Sequence, residues 1–310
     1  TLALSNSITF AHINDQENDF PKVRVWGTIG WIVASWAFPM IWLQTDLQFQ
    51  SMPPFIVGTE VPDVTSRLAD ALKFSGIISL CYGVFCFLLP NTPPKSDAVE
   101  KLAFKKAFEL FQYSSFTILV IASLAVSIIH QIYFLQTGPF LSSIGIPDSQ
   151  IGPAMTIGQF AEIITMAYLG YFLKRFGFKQ VITIGISAYC LRYAIFGTEL
   201  LPVWVMVLSQ AFHGFCYAFF FAAAYIYVDK IAEEDVRHSA QTVFGIIILG
   251  GGPVIGGWLS GYLQNAYTVV YRLPGPDVVI FDYSIFWYTL SAIGLVATTT
   301  FYFLFYEQTE

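Results

Sequence analysis

The chain has 310 residues and a formal net charge of −6; 55% of its residues are hydrophobic and 12% are charged. A soluble domain carries about 25% charged residues, so this composition, with a mean hydropathy of +0.61, excludes a chain that covers itself with a solvated surface. Hydrocarbon must surround much of it. The basic residues lie between apolar runs instead of on one face, which argues against a nucleic-acid partner.

Eight apolar runs are long enough to cross a bilayer, which takes about 20 residues per helix. The predicted spans are Val23–Leu43, Leu72–Leu89, Phe116–Ile144, Ile151–Leu173, Gln180–Phe196, Val203–Val228, Val243–Tyr267 and Ser284–Phe305. Residues Thr1–His12 have the pattern of the end of another helix. We therefore predict an all-α membrane helix bundle with about eight full transmembrane helices and a partial one.

Lysine and arginine residues are concentrated in alternate segments between the predicted spans. Under the positive-inside rule these segments are cytoplasmic, and both ends of the chain then lie in the cytoplasm. We expect residues 1–90 to be the remnant of an N-terminal six-helix half that lacks its first three helices. Residues 91–113 are then a cytoplasmic linker, and residues 114–310 are the C-terminal six-helix half.

Polar residues inside the spans are the candidates for function, because an ionisable group at the centre of a membrane helix costs about 2.5–3.5 kcal/mol on insertion scales. Several fall on common helix faces, at spacings of three, four or seven residues. They are Arg24, Thr28 and Trp31; His130 and Gln131; Gln159 and Glu162; Arg192; and His213, Tyr217 and Phe220.

Structural explanations compete with functional ones for most of these residues. Arg24 could extend its charge to the cytoplasmic interface, and Gln131 could hold two helices together. We interpret Arg192 as a structural partner for a carboxylate or for backbone carbonyls. Glu162 is the strongest functional candidate, because a carboxyl group that is neutral in one state and charged in another is what a proton-coupled transporter requires.

A glycine-rich segment, Gly250–Gly261, lacks the spacing of a nucleotide-binding loop and lies within a predicted span. Its pairs Gly252/Gly256 and Gly257/Gly261 are typical of helices whose backbones approach closely. Pro253 predicts a kink in the same helix.

Six stretches resemble the nucleoside:proton symporter family, the bacterial nucleoside permeases of the major facilitator superfamily. They occur in that family's order, as "FPKVRVWGTIG", "IGQFAEI", "FLKRFGFKQV", "YCLRYAIFG", "HGFCYAFFF" and "RHSAQTVFGIIILGGGPVIGGWLSG". The resemblance implies the superfamily fold, with the first three helices missing. It also implies proton-coupled uptake of nucleosides across the bacterial inner membrane by alternating access.

The resemblance further implies roles for matched positions. The polar residues that would line the nucleoside pocket are Arg24, Thr28, Gln131, Gln159 and Glu162, with aromatic positions at Trp31 and Tyr217 and with His213 where the family can have Tyr. From the chemistry of an intramembrane carboxyl group we also expect Glu162 to carry the coupling proton. The sequence departs from the family at two places, because Phe134 stands where some permeases have Asn and Ala218 stands where they have an acidic residue.

Two other functions stay open. A proton-coupled sugar or glycoside permease of the same superfamily would use similar residues, and a membrane receptor or scaffold would bind ligand without transporting it. An enzyme is not expected, since the spans offer no nucleophile–base pair or metal cluster. We expect no cofactor, and a monomer in the cytoplasmic membrane whose partners are a nucleoside-like small molecule, protons and the lipid bilayer.

Overall fold

A computed structural model describes residues 5, 8–9, 11–14, 16–92, 108–198, 200–232, 237–271 and 278–307. Seven of the helices in these ranges are long and apolar enough to cross a membrane. Their bounds are α1 (Gln16–Phe38, continued by a π turn, Pro39–Leu43), α2 (Val64–Leu68 and Asp70–Phe85, ending in a 3-10 turn, Cys86–Leu88), α3 (Ser114–Ser143), α4 (Asp148–Gly197), α5 (Val203–Ser209, Phe212–Phe215, a π turn, Cys216–Ala222, and Ala223–Ile231), α6 (Arg237–Gly245, a π turn, Ile246–Gly251, and Gly252–Ala266) and α7 (Tyr283–Leu304).

The longest helix, α4, contains two of the predicted spans. Its backbone is interrupted at Gly177, where φ is +76°, a value that glycine adopts without the strain of a side chain. Residues 148–176 and 178–197 therefore form two successive crossings, and Glu307 Oε1 accepts a hydrogen bond from the Lys179 backbone N–H just after the break, at 2.7 Å. The predicted membrane helix bundle is confirmed. Most of the partial helix Thr1–His12, and residues 93–107 of the predicted linker, lie outside the described residues.

Two short β-hairpins join consecutive helices, and the sequence did not predict them. Strands β1 (Gln44–Phe49) and β2 (Ile56–Glu60) pair antiparallel between α1 and α2. Strands β3 (Thr268–Tyr271) and β4 (Val278–Phe281) pair in the same way between α6 and α7. Pairing within each hairpin satisfies backbone N–H and C=O groups that have left the helices.

The packed core lies mainly among α3, α4, α5 and α7, with a smaller contribution from α6. Its largest side chain, Trp287 of α7, is fully buried and packs edge-on against Phe140 of α3 and Phe196 of α4. Helix α2 differs, because none of its described residues is buried within the chain. Helix α2 therefore lies at the edge of the bundle that carries the polar residues.

Helix α6 packs against α3 through one of the two glycine pairs. A Cβ atom on Gly256 would lie 2.8 Å from the Ile128 carbonyl oxygen, and one on Gly252 would overlap Ser127. The prediction is confirmed for this pair and wrong for Gly257 and Gly261, which have no such neighbour within 4 Å in the described structure. A π turn, Ile246–Gly251, precedes Pro253 and accommodates the proline's missing N–H.

Hydrogen bonds join the end of α1, and the hairpin that follows it, to the start of α4. Trp36 Nε1 donates to Thr156 Oγ1 at 2.8 Å. Gln44 Nε2 donates to the Ser149 carbonyl oxygen at 3.1 Å, and the Ser149 backbone N–H donates to Glu60 Oε1 at 2.9 Å. These contacts fix α1 against α4 and so place the polar residues of the two helices opposite each other.

Candidate functional site

A cavity of about 290 Å³ lies between α1, α3, α4, α5 and α6. All eight residues that the sequence singled out as a pocket line it: Arg24, Thr28, Trp31, Gln131, Gln159, Glu162, His213 and Tyr217. Four helices, α1, α3, α4 and α5, thus direct polar or aromatic side chains to one space inside an apolar bundle, and α6 adds Leu249 and Pro253. The volume is close to the lower end of the range for small-molecule sites, which runs from about 300 to 1,000 Å³.

Glu162 lies at the junction of three helices and is 4% exposed. Thr28 Oγ1, from α1, donates a hydrogen bond to Glu162 Oε1 at 2.8 Å. His213 Nε2, from α5, lies 3.8 Å from the other carboxyl oxygen, Oε2. Each oxygen of the carboxyl group therefore faces a polar group from a different neighbouring helix.

Arg24 points into the cavity instead of toward the membrane interface. Its Nε donates to the Tyr217 hydroxyl at 3.0 Å, Nη2 donates to the same oxygen, and the guanidinium carbon lies 4.8 Å from the Tyr217 ring centroid. The guanidinium packs closely on Gly27, since a Cβ atom there would lie 2.7 Å from Arg24 Nη1 and the arginine would have to shift. A cation from α1 is therefore held against Tyr217 of α5 at the wall of the cavity.

Gln159 lies one turn before Glu162 on the same face of α4 and is 4% exposed. Its Oε1 has no hydrogen-bond partner among the described residues. A buried amide oxygen without a partner costs free energy. This oxygen is consequently available to a donor on a ligand in the cavity.

The aromatic wall is formed by Trp31 of α1 and Phe134 of α3, whose ring centroids are 5.7 Å apart in an edge-to-face arrangement. Trp31 lines the cavity and is 47% exposed. Phe134 therefore adds an apolar surface at one of the two positions where the sequence departs from the family. Ala218, the other departure, is fully buried and is not one of the lining residues.

A π turn in α5 changes which residues face the cavity. The expected stripe His213, Tyr217 and Phe220 is wrong at its last member, because Phe220 is fully buried in the core and Phe221 lines the cavity instead. The π turn over Cys216–Ala222 adds residues to one turn and shifts the face that follows. Tyr225, one turn after Phe221, also lines the cavity, and the spacing of four residues could have identified it.

Close helix packing holds Glu162 and His213 next to each other. A Cβ atom on Gly214 would lie 2.5 Å from the Ala161 carbonyl carbon and 2.7 Å from the Glu162 backbone nitrogen. On the facing helix, a Cβ atom on Gly158 would lie 2.8 Å from His213 Cβ. Only glycine permits this approach of α4 and α5.

Two histidines line this part of the cavity, and a buried arginine lies behind them. His130 and His213 stack with ring centroids 5.7 Å apart, and His130 Nδ1 hydrogen-bonds to the Tyr189 hydroxyl at 2.8 Å. Arg192 is fully buried, and its Nη1 lies 3.1 Å from His213 Nδ1. Its observed partner is thus an imidazole, instead of the carboxylate or backbone carbonyl that the sequence suggested.

Comparisons with known proteins agree with this architecture. The protein YegT of Escherichia coli (strain K12) is 31% identical in a match that covers 100% of this chain and 70% of YegT. Nucleoside permease NupG of the same organism is 29% identical over 86% of this chain and 63% of NupG. The crystal structure of a mutant of nucleoside transporter NupG matches with a TM-score of 0.69 and 26% identity, covering 98% of this chain and 72% of that one.

The family model described as nucleoside H+ symporter matches residues 1–310. Together with the seven candidate spans, this match confirms the family resemblance drawn from the sequence and makes the chain an integral membrane protein. The chain belongs to the nucleoside H+ symporter family, whose members are membrane transporters and not enzymes.

Proposed function

We propose that this chain forms the nucleoside- and proton-binding part of a proton-coupled nucleoside transporter of the bacterial cytoplasmic membrane. The observation that carries the proposal is Glu162, a buried carboxyl group held between Thr28 and His213 in a cavity that also contains the Gln159 amide oxygen, which has no partner among the described residues. An intramembrane carboxyl group next to a ligand cavity is a recurrent feature of proton-coupled transport.

A nucleoside presents a flat base with polar edges and a sugar rich in hydroxyl groups. Trp31 offers a face on which the base stacks. Gln131 and Gln159 each carry an amide, which both donates and accepts, and so can pair with the edge of a base. Glu162 accepts hydrogen bonds from the ribose hydroxyls, and its second role is to hold the coupling proton.

The remaining assignments concern the organisation of the protein. Residues 1–90 belong to one helical half, residues 91–113 to a cytoplasmic linker and residues 114–310 to the second half, with both ends of the chain in the cytoplasm. The support is the distribution of basic residues. Transport then proceeds by rocking of the two halves around the cavity, so that Glu162 faces one side of the membrane at a time.

The test is Glu162→Gln, which keeps the size of the side chain and mimics a permanently protonated carboxyl group. Proteoliposomes with an imposed pH gradient and membrane potential should accumulate labelled uridine with the wild-type protein. A potential of 100 mV contributes about 2.3 kcal/mol per charge, which corresponds to roughly 50-fold accumulation. The Gln variant should lose this accumulation and should still exchange labelled for unlabelled nucleoside, because exchange moves no net proton.

A matched control is Glu109→Gln, which makes the same change at an exposed position outside the cavity. It should accumulate uridine like the wild type. Normal accumulation by the Glu162→Gln protein would refute the assignment of the coupling proton to this residue. Competition by simple sugars with the same strength as by unlabelled uridine would refute the nucleoside assignment in favour of a sugar permease.

A further inference from the structure

Arg192 is a permanent cation buried in the middle of the bundle. Its guanidinium carbon lies 3.9 Å from the Tyr133 ring centroid, 5.3 Å from that of Tyr193 and 5.5 Å from that of Tyr189. Three aromatic faces therefore hold the planar group by cation–π contact. Its Nε and Nη2 have no hydrogen-bond partner in the described part of the chain, whereas Nη1 lies 3.1 Å from His213 Nδ1.

The chemistry of the two groups determines the direction of that hydrogen bond. A guanidinium group donates only, and it does not lose its proton in proteins. Arg192 Nη1, 3.1 Å from His213 Nδ1, is therefore the donor, and Nδ1 must offer its lone pair. A neutral imidazole has one N–H, so the proton of His213 resides on Nε2.

His213 Nε2 is the atom that faces Glu162, at 3.8 Å from Oε2. This distance is longer than a direct hydrogen bond, but an approach of about 1 Å brings the N–H and the carboxylate into bonding range. Protonation of Nδ1 would break the bond from Arg192 and place two cations next to each other. We infer that Arg192 is a positioning residue that keeps His213 neutral, with its single proton on Nε2 directed at Glu162, so that the site holds one transportable proton and not two.

This inference rests on the proposed role of Glu162 and adds the residues that set the protonation of its neighbour His213. The ionisable groups that face His213 are Glu162 and Arg192 from α4, His130 and Tyr133 from α3, and Tyr217 from its own helix. His130 is itself hydrogen-bonded to the Tyr189 hydroxyl and stacks on His213, with an angle of 15° between the two ring planes. Among these groups, Arg192 is the one whose hydrogen bond specifies a nitrogen of His213.

The direct test is ¹⁵N NMR of the protein labelled at histidine and reconstituted in lipid. The signal of His213 is identified by its loss in His213→Gln. In the wild type it should report the Nε2–H tautomer alone, without change between about pH 5 and pH 8, the range in which histidine ordinarily titrates. An Nδ1–H tautomer, or an imidazolium that forms within this range, would overturn the inference, whatever the outcome of the Glu162→Gln transport assay.

Substitutions of Arg192 provide a second measurement. Arg192→Lys keeps a group that only donates and should retain the single tautomer and the pH profile of uridine uptake. Arg192→Gln introduces an amide that also accepts, so His213 should show mixed tautomers or protonation, and the uptake profile should gain a second ionisation. That ionisation should disappear in Arg192→Gln combined with His213→Asn. An unchanged His213 spectrum in Arg192→Gln would refute the role of Arg192, and if this variant does not fold, the wild-type spectrum alone decides.

Discussion

Replacing Gly214 by Ala tests how closely α4 and α5 must approach. The new Cβ would lie 2.5 Å from the Ala161 carbonyl carbon, 2.6 Å from its oxygen and 2.7 Å from the Glu162 nitrogen, whereas ordinary contacts are 3.4–4 Å. These three atoms are backbone, so no side-chain rotation removes the overlap, and the helices must separate by roughly 1 Å. Overpacking of this kind costs about 1–3 kcal/mol.

Gly170→Ala is the matched control, because it makes the same change in α4 at a position with no neighbour within 4 Å. Alanine favours a helix over glycine by about 1 kcal/mol, and this gain is common to both variants. The Gly214 variant should therefore be less stable than the Gly170 variant by about 1–3 kcal/mol, the overpacking cost alone. Uridine should also stabilise it less, since Glu162 moves with the backbone.

Unfolding of the two variants in the same detergent, with and without uridine, measures both effects. Equal stability of the two variants would refute the close approach of α4 to α5. A Gly214 variant that is destabilised but binds uridine with wild-type affinity would show that the close approach of the two helices is not required for binding.

Two other predictions concern ligand contact and orientation. Trp31→Ala should weaken uridine binding by roughly 5- to 150-fold, since stacking on an aromatic side chain contributes about 1–3 kcal/mol per base. Trp26→Ala should leave binding unchanged, because Trp26 is a 70% exposed residue of the same helix that does not line the cavity. Equal effects of the two substitutions would contradict the prediction. In a cysteine-free background, a cysteine at Lys174 should resist a membrane-impermeant thiol reagent on intact cells, while one at exposed Asp46 should react; the opposite labelling pattern would reverse the orientation.

The helices could be predicted because the bilayer imposes a minimum apolar length, and that length is visible in one sequence. The pocket residues could be predicted for a related reason, since a buried Glu162 or Gln159 is too costly to occur without a partner or a ligand. Their convergence on one cavity is a structural observation; their roles in binding and coupling remain predictions, as does the monomer.

The details that could not be predicted depend on contacts distant in sequence. The choice of Phe221 over Phe220 depends on a π turn in α5, which leaves no mark in residue spacing. The partner of Arg192 is a side chain 21 residues away on the next helix, and the β1–β2 hairpin contains no strong alternation of polar and apolar residues.

If Glu162 carries the coupling proton, as proposed, its two oxygens link proton binding to helix movement. Thr28 belongs to α1 and His213 to α5, so the carboxylate has both of its protein neighbours only while α1 lies against α4. In a cycle that separates α1 from α4, the carboxylate loses the hydroxyl of Thr28, and a proton or a substrate hydroxyl must replace it. By thermodynamic reciprocity, protonation of Glu162 must then weaken the attachment of α1 by the same free energy. On the proposed role of Glu162, the 2.8 Å hydrogen bond from Thr28 is the contact through which proton binding would alter the attachment of α1 to α4.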